Sequence, residues 1–217
     1  MVVRVGSLVA LGLLLVTSGN ARAQSEPASR AASSPPLVEV GLAGFGRYDF
    51  GTFCEQDLDV VSCSSGRVFA GPQVTPRLRL SRLVSLGMLG AFGWGLGSEG
   101  QASGDGSRSE RTLTTYRLEG EARLHPLDPN AVDLWFGADF GVTALRDAWT
   151  SYAPNGDVVG ATTNTDVGAI LGVAVGVDVR LGDFVALGPE LRAAWLSYDE
   201  PQGFVALALS GTFLGDP

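Results

Sequence analysis

From Leu37 onward, apolar side chains recur at every second position, and no stretch there reads as a membrane-spanning helix. A period of two means extended strands, each with one oily face and one face of another kind. The pattern holds over eight segments, at 37–50, 67–80, 85–97, 110–126, 131–146, 164–181, 184–198 and 203–214. Segment 85–97 shows it most sharply. Leu86, Met88, Phe92, Trp94 and Leu96 share one face, and Gly87, Ala91, Gly93 and Gly95 share the other, interrupted only by Leu89. The connections alternate in character. Three are tight, near 81–84, 125–130 and 181–183, and the others fall at 51–66, 98–109, 147–163 and 199–202. The first three of these are long and rich in Gly, Ser, Asp or Asn. An even strand number with short turns at one end and long loops at the other is the layout of a membrane barrel.

The second face decides between lipid and water outside. A soluble barrel or sandwich would carry abundant Lys and Glu on its outer face. This chain has no Lys, and its charged residues make up only 18%. The second face is mostly Gly, Ala, Ser and Thr with scattered charges of both signs. The cations are Arg47, Arg77, Arg79, Arg117, Arg123, Arg180 and Arg192. The anions are Glu39, Asp49, Glu119, Glu121, Asp133, Asp139, Asp166, Asp178 and Glu190. Seven against nine is nearly balanced, as a crowded interior requires, because buried charges need partners. The lumen of an eight-stranded barrel is just wide enough for side chains to fill it. The 30 glycines, roughly twice the ordinary share, are expected to make room there for arginine side chains. On the oily face Tyr48, Trp94, Tyr116, Trp195 and Phe213 stand near strand ends, where amphipathic rings suit the headgroup level. The expected fold is an all-β, eight-stranded, antiparallel, up-and-down transmembrane β-barrel. Its closed backbone satisfies lipid without any helix.

The first 23 residues read as a cleaved signal peptide. Arg4 gives a positive start, Val5 to Val16 an apolar core, and Ala21-Arg22-Ala23 a cleavage pattern before Gln24. Twelve apolar residues span only about 18 Å as a helix, too short for a roughly 30 Å hydrocarbon core. Residues 24–36 form a polar leader rich in Pro, Ser and Ala, and 37–217 the barrel domain. Cys54 and Cys63 are the only cysteines, and in an exported chain such a pair is expected to form a disulfide.

Bond-making chemistry is not expected. His125 is the only histidine, beside Pro126 in a tight turn, and reads as a turn-filling residue. Ser81 and Ser85 sit in another turn on the same side, which leaves a chance approach to His125 open. Glu119 and Glu121 share a face, but with Arg117 and Arg123 beside them they read as an ion-pair network with Asp139, Asp178, Glu190, Arg77, Arg79 and Arg192. The glycine-rich run 87–97 lacks the Lys-Ser/Thr and the helix of a phosphate loop. No cofactor or metal site is expected. A formal charge of −8 argues against nucleic acid.

The export segment, the eight alternating segments, the rhythm of tight turns and long loops, and Phe213 near the end together resemble small outer-membrane β-barrel proteins of the OmpA and OmpX barrel class, over about residues 37–214. The resemblance implies residence in the outer membrane of a Gram-negative bacterium, surrounded by its lipids and inserted by the barrel-assembly machinery. The leading functional expectation is a non-enzymatic surface protein that serves envelope structure or contact through a surface ligand at loops 51–66, 98–109 and 147–163. The alternatives are a narrow porin-like channel and a soluble periplasmic ligand-binding barrel.

Overall fold

The computed structural model describes the backbone of residues 37–57, 60–97, 100–102, 106–126, 132–182, 184–198 and 201–215, with side chains except at 52–57, 60–65, 100–102 and 201. The signal peptide and the leader lie outside the described residues. Nine strands follow in order: β1 Leu37–Asp57, β2 Val60–Arg79, β3 Val84–Gly95, β4 Gly100–Ala102, β5 Arg108–Leu124, β6 Val132–Tyr152, β7 Val158–Arg180, β8 Val185–Ser197 and β9 Pro201–Gly215. The three-residue β4 continues the line of β3 along β5, from Trp94↔Thr114 to Gly100↔Glu110. The wall is therefore eight strands around. Each pairs antiparallel with its chain neighbour, and β1 pairs with β9 from Val38↔Gly215 to Phe50↔Gly203 to close the ring. The fold is an all-β, eight-stranded, up-and-down barrel.

The alternation seen in the sequence sorts the side chains. In β8 and in the lower half of β5, buried and exposed residues alternate without a break. The exposed set is the oily one, including Leu42, Phe140, Leu191, Leu207 and Leu209, and the buried set carries the charges. A soluble protein has the reverse arrangement. Tyr48, Trp94, Tyr116 and Trp195 stand outward at the long-hairpin end, and Phe213 and Phe184 at the short-turn end. From Trp195 to the level of Phe213 there are ten residues along β8. At roughly 3.3 Å each and a tilt of about 40°, they cover about 25 Å, the height of an outer-membrane apolar band.

Below the rim, closure leaves no edge strand for proline, yet Pro72, Pro76 and Pro189 lie within the wall. The ladder yields at each, and at Pro72 the pairing of β2 with β3 skips from Ala70↔Trp94 to Gln73↔Ala91. Pairing of β2 with β3 skips from Val74↔Gly90 to Arg77↔Gly87, and pairing of β7 with β8 skips from Gly176↔Glu190 to Val179↔Leu187. Proline has no N–H to give there. The strands close up instead, and a Cβ at Gly188 would overlap the carbonyl oxygen of Val177.

Two of the expected long loops are mostly strand. β1 and β2 run to Asp57 and from Val60 through the 51–66 segment, and β6 and β7 run to Tyr152 and from Val158 through 147–163. At 98–109, β4 and the start of β5 take up part of the segment. The reason lies outside the oily band. Where both faces meet water, a strand needs no apolar alternation, so a Thr-rich stretch such as 161–165 pairs without announcing itself. The hairpin tip at 153–157 is a tight turn, with Ala153 N–H donating to Asp157 O at 2.8 Å and Gly156 at φ +90°.

The rim is uneven. β8 and β9 stop at Ser197↔Pro201, and β7 meets β8 only from Ala169↔Ser197 downward. β6 and β7 pair on to Tyr152↔Val158. Val158–Gly168 of β7 thus pairs with β6 alone among the described residues, and every side chain from Pro154 to Val167 is exposed. Asp166, expected inside, is exposed for this reason: it sits above the point where the wall closes.

Candidate functional site: the charged lumen and its short-turn mouth

Arginine and carboxylate side chains from every strand of the ring except β3 and β9 point inward and fill the barrel. On a strand, i and i+2 face the same way. Arg117 with Glu119, Glu121 with Arg123, and Arg47 with Asp49 are ion pairs made in this way. Cross-strand partners join these pairs into a network. Arg192 lies at its centre, paired with Asp139, with Glu121 at 3.1 Å, Glu190 at 3.4 Å and Glu119 at 3.7 Å. Arg123 reaches Glu190 at 3.3 Å, and Gln73 donates to the other oxygen of Glu190 at 2.8 Å. Lower down, Arg77 pairs with Glu39 at 3.2 Å and donates to Thr212 at 3.0 Å. Asp178 is buried beside this group and lines a small cleft at the mouth with Glu39, Arg79, Asp133 and Arg180. Arg180 itself is half-buried.

Inward apolar side chains break the expected parity. Trp135 is fully buried and lies under Arg123, whose guanidinium carbon stands 3.4 Å from the ring centroid. Phe45, Phe69 and Phe204 take Arg47 and Arg117 over their rings, and Ile170, Leu196 and Phe204 form an apolar cluster inside the long-hairpin end. Such contacts stabilise a desolvated guanidinium by about 2 kcal/mol. The glycines serve both kinds of neighbour. A Cβ at Gly176 would overlap the Trp135 indole, and one at Gly87 would meet Arg77 Cγ at 2.5 Å. The signal that was available was the occurrence of apolar residues on the polar parity, as at Leu89, Trp135 and Phe204.

His125 departs most from its sequence reading. It does not fill a turn at the surface. It follows directly on β5, its N–H donates to Leu83 O at 2.9 Å, and its ring is buried. Ser85 Oγ lies 3.0 Å from His125 Nε2, and both Asp133 oxygens lie 3.0 Å from Nδ1. Asp133 as acceptor sets Nδ1 as the protonated nitrogen and leaves Nε2 to accept from the serine hydroxyl. Arg79 Nη2 is 2.8 Å from Nδ1 and 3.4 Å from Nε2. A donor in the ring plane at Nδ1 would be far from Nε2, so the guanidinium lies over the ring, where it also holds Asp133 at 2.6 Å. Ser81, in contrast, caps its own turn by accepting from the N–H groups of Leu83 and Val84.

The Cys54 and Cys63 side chains lie outside the described residues, but their backbones stand directly opposite each other in the β1–β2 register. Among the described residues no cluster of metal-ligating side chains occurs.

No family model matches the chain, and neither does any curated protein. Solved structures do. Neisserial surface protein A is similar with a TM-score of 0.52 and 12% identity, over 83% of this chain and 97% of that one. Ail, the attachment invasion locus protein of Yersinia pestis, aligns at 0.47 and 10% over 83% and 97%, and the outer membrane protein OprG of Pseudomonas aeruginosa at 0.40 and 11% over the same shares. The first of these likenesses shows the fold: the chain has the architecture of small eight-stranded outer-membrane β-barrels.

Proposed function

We propose that this protein resides in the outer membrane of a Gram-negative bacterium, reached through a cleaved signal peptide, and that it works by contact outside the cell. One observation carries the contact reading. β5, β6 and β7 continue above the closed wall as a blade whose outer edge, Val158–Gly168, has no neighbouring strand among the described residues. A bare strand edge offers a row of N–H and C=O groups to an extended partner segment. Proteins usually protect such an edge with Lys, Pro or inward charge. Here eleven residues carry a single charge, Asp166. Replacing residues 148–163 with Asn-Gly joins Asp147 to Asn164 through a two-residue hairpin and removes the upper part of the blade, with Val158–Thr163 of its bare edge. Cells displaying the full chain are expected to adhere to plastic coated with serum proteins several-fold better than cells displaying the trimmed chain. Equal adhesion, with both forms folded by heat-shifted gel migration, would overturn the reading.

A channel is the alternative, and the filled lumen disfavours it. Planar bilayers holding the refolded protein should stay silent, whereas steady, reproducible openings would favour conduction. The disulfide belongs to the same surface. Directly opposed residues of an antiparallel pair have Cα atoms about 4.5–5.5 Å apart, within the range a disulfide bridges. Maleimide should fail to label the denatured, unreduced protein at Cys54 and Cys63 and should label both after reduction. Ready labelling before reduction would count against the bond.

A further inference from the structure

We infer that Ser85 is an activated nucleophile, held by His125 and Asp133 at the short-turn mouth of the lumen, and that it takes the acyl group of a small carboxylic ester entering from the periplasmic side. The three residues come from three places in the wall. Ser85 is the second residue of β3, His125 follows β5, and Asp133 is the second residue of β6. All three side chains turn inward at the same level and are buried. Hydroxyl to imidazole and imidazole to carboxylate are each 3.0 Å, the spacing at which a base can take the hydroxyl proton while a carboxylate fixes its tautomer. The order along the chain is immaterial to that chemistry.

Two further features fit a reacting centre. In the register, Ser85 stands directly opposite Arg79 on β2 and opposite Arg123 on β5. Directly opposed side chains share a face, with Cβ atoms about 5 Å apart. Two arginines therefore leave the wall beside Ser85, and they are the positive charges nearest in the register to the oxyanion that acyl transfer develops. Arg123 is engaged by Glu121, Glu190 and the Trp135 face. Arg79 covers the His125 ring, pairs with Asp133 at 2.6 Å and with Glu39 at 3.1 Å, and lines the mouth cleft with both carboxylates. Ser85 is fully covered in this structure, and Arg79 and Asp133 lie between the mouth cleft and the His125 ring, so these side chains must move when a reagent enters.

The step balances with water as co-reactant. Ser85 Oγ bonds to the acyl carbon, and the ester C–O bond breaks. The hydroxyl proton passes to His125 Nε2 and from there to the departing alkoxide. Water then gives a proton to Nε2 and attacks the acyl carbon, and Ser85 regains its proton as the carboxylic acid leaves.

The test is labelling of the full, folded chain in detergent micelles with a small alkyl fluorophosphonate. The reagent forms an Oγ–P bond and expels fluoride. One adduct per chain is expected, located by mass on the peptide containing Ser85 and absent from protein unfolded by heat before labelling. Ser85→Ala should abolish the adduct. His125→Gln and Asp133→Asn, each verified as folded by gel migration, should slow labelling about 100-fold or more. No adduct on folded wild-type protein would overturn the assignment, as would labelling at Ser85 that His125→Gln and Asp133→Asn leave unchanged. The blade-trimmed form should label like the full chain, so this result is independent of the contact reading.

Discussion

Arg192→Ala is expected to lose about 3–5 kcal/mol of folding stability, the usual cost of removing one partner from a buried ion pair. The reason is what stays behind. Arg192 is fully buried and is shared by Glu119, Glu121, Asp139 and Glu190, which come from β5, β6 and β8. Without it, four carboxylates face one another across the lumen. Glu119 retains Arg117, and Glu121 and Glu190 retain Arg123, but no other ion pair of Asp139 exists among the described residues. Urea unfolding of the barrel refolded into vesicles measures the loss as a lower midpoint. Adding Asp139→Asn to Arg192→Ala should recover part of it, because one uncompensated charge is then removed. An unchanged midpoint in Arg192→Ala would mean that the charges are hydrated in solution and that the lumen is open to water.

Leu207→Arg should cost about 2–4 kcal/mol, the range for an arginine near the middle of the lipid-facing surface of a membrane barrel. Leu207 is 62% exposed and pairs with Leu191 on β8 and Gly46 on β1. Along β9 it lies four residues from Gly203, the partner of Trp195, and six from Phe213, so it is between the two aromatic levels. The same change at Thr163, on the blade, should stay within about 0.5 kcal/mol, as for an ordinary surface site. The contrast tests the environment directly. In a water-soluble barrel Leu207 is a surface residue, and arginine there would be neutral or favourable. Equal midpoints for the two variants in vesicles would therefore remove lipid from the outer face.

Much of the wall was legible from residue order. Val205, Leu207 and Leu209 separate from Ala206 and Ala208 once the segment is extended, because successive side chains must point to opposite faces. The i, i+2 ion pairs at 117–123 follow from the same local rule. The apolar residues on the polar parity were harder. Trp135 belongs inside because Gly176 directly opposite on β7 leaves space for its indole and Arg123 covers its face. Neither neighbour is visible from the segment that contains it. The blade was hidden for another reason. Outside the oily band, pairing needs no alternation, so Thr162 and Trp149 oppose each other without a periodic signature.

The residue order by itself determined which face of each strand is oily, how many strands ring the wall, and that the inward charges nearly cancel. These are consequences of a backbone whose side chains alternate and of a lipid that accepts only apolar groups. The tertiary structure alone decided the register between strands. Register set Arg192 among four carboxylates, left the edge of β7 bare above Ala169, and brought Ser85, His125 and Asp133 to one level. Ser85 and Asp133 are 48 positions apart in the chain, and only the hydrogen-bonded ladder that closes the ring fixes their relative height.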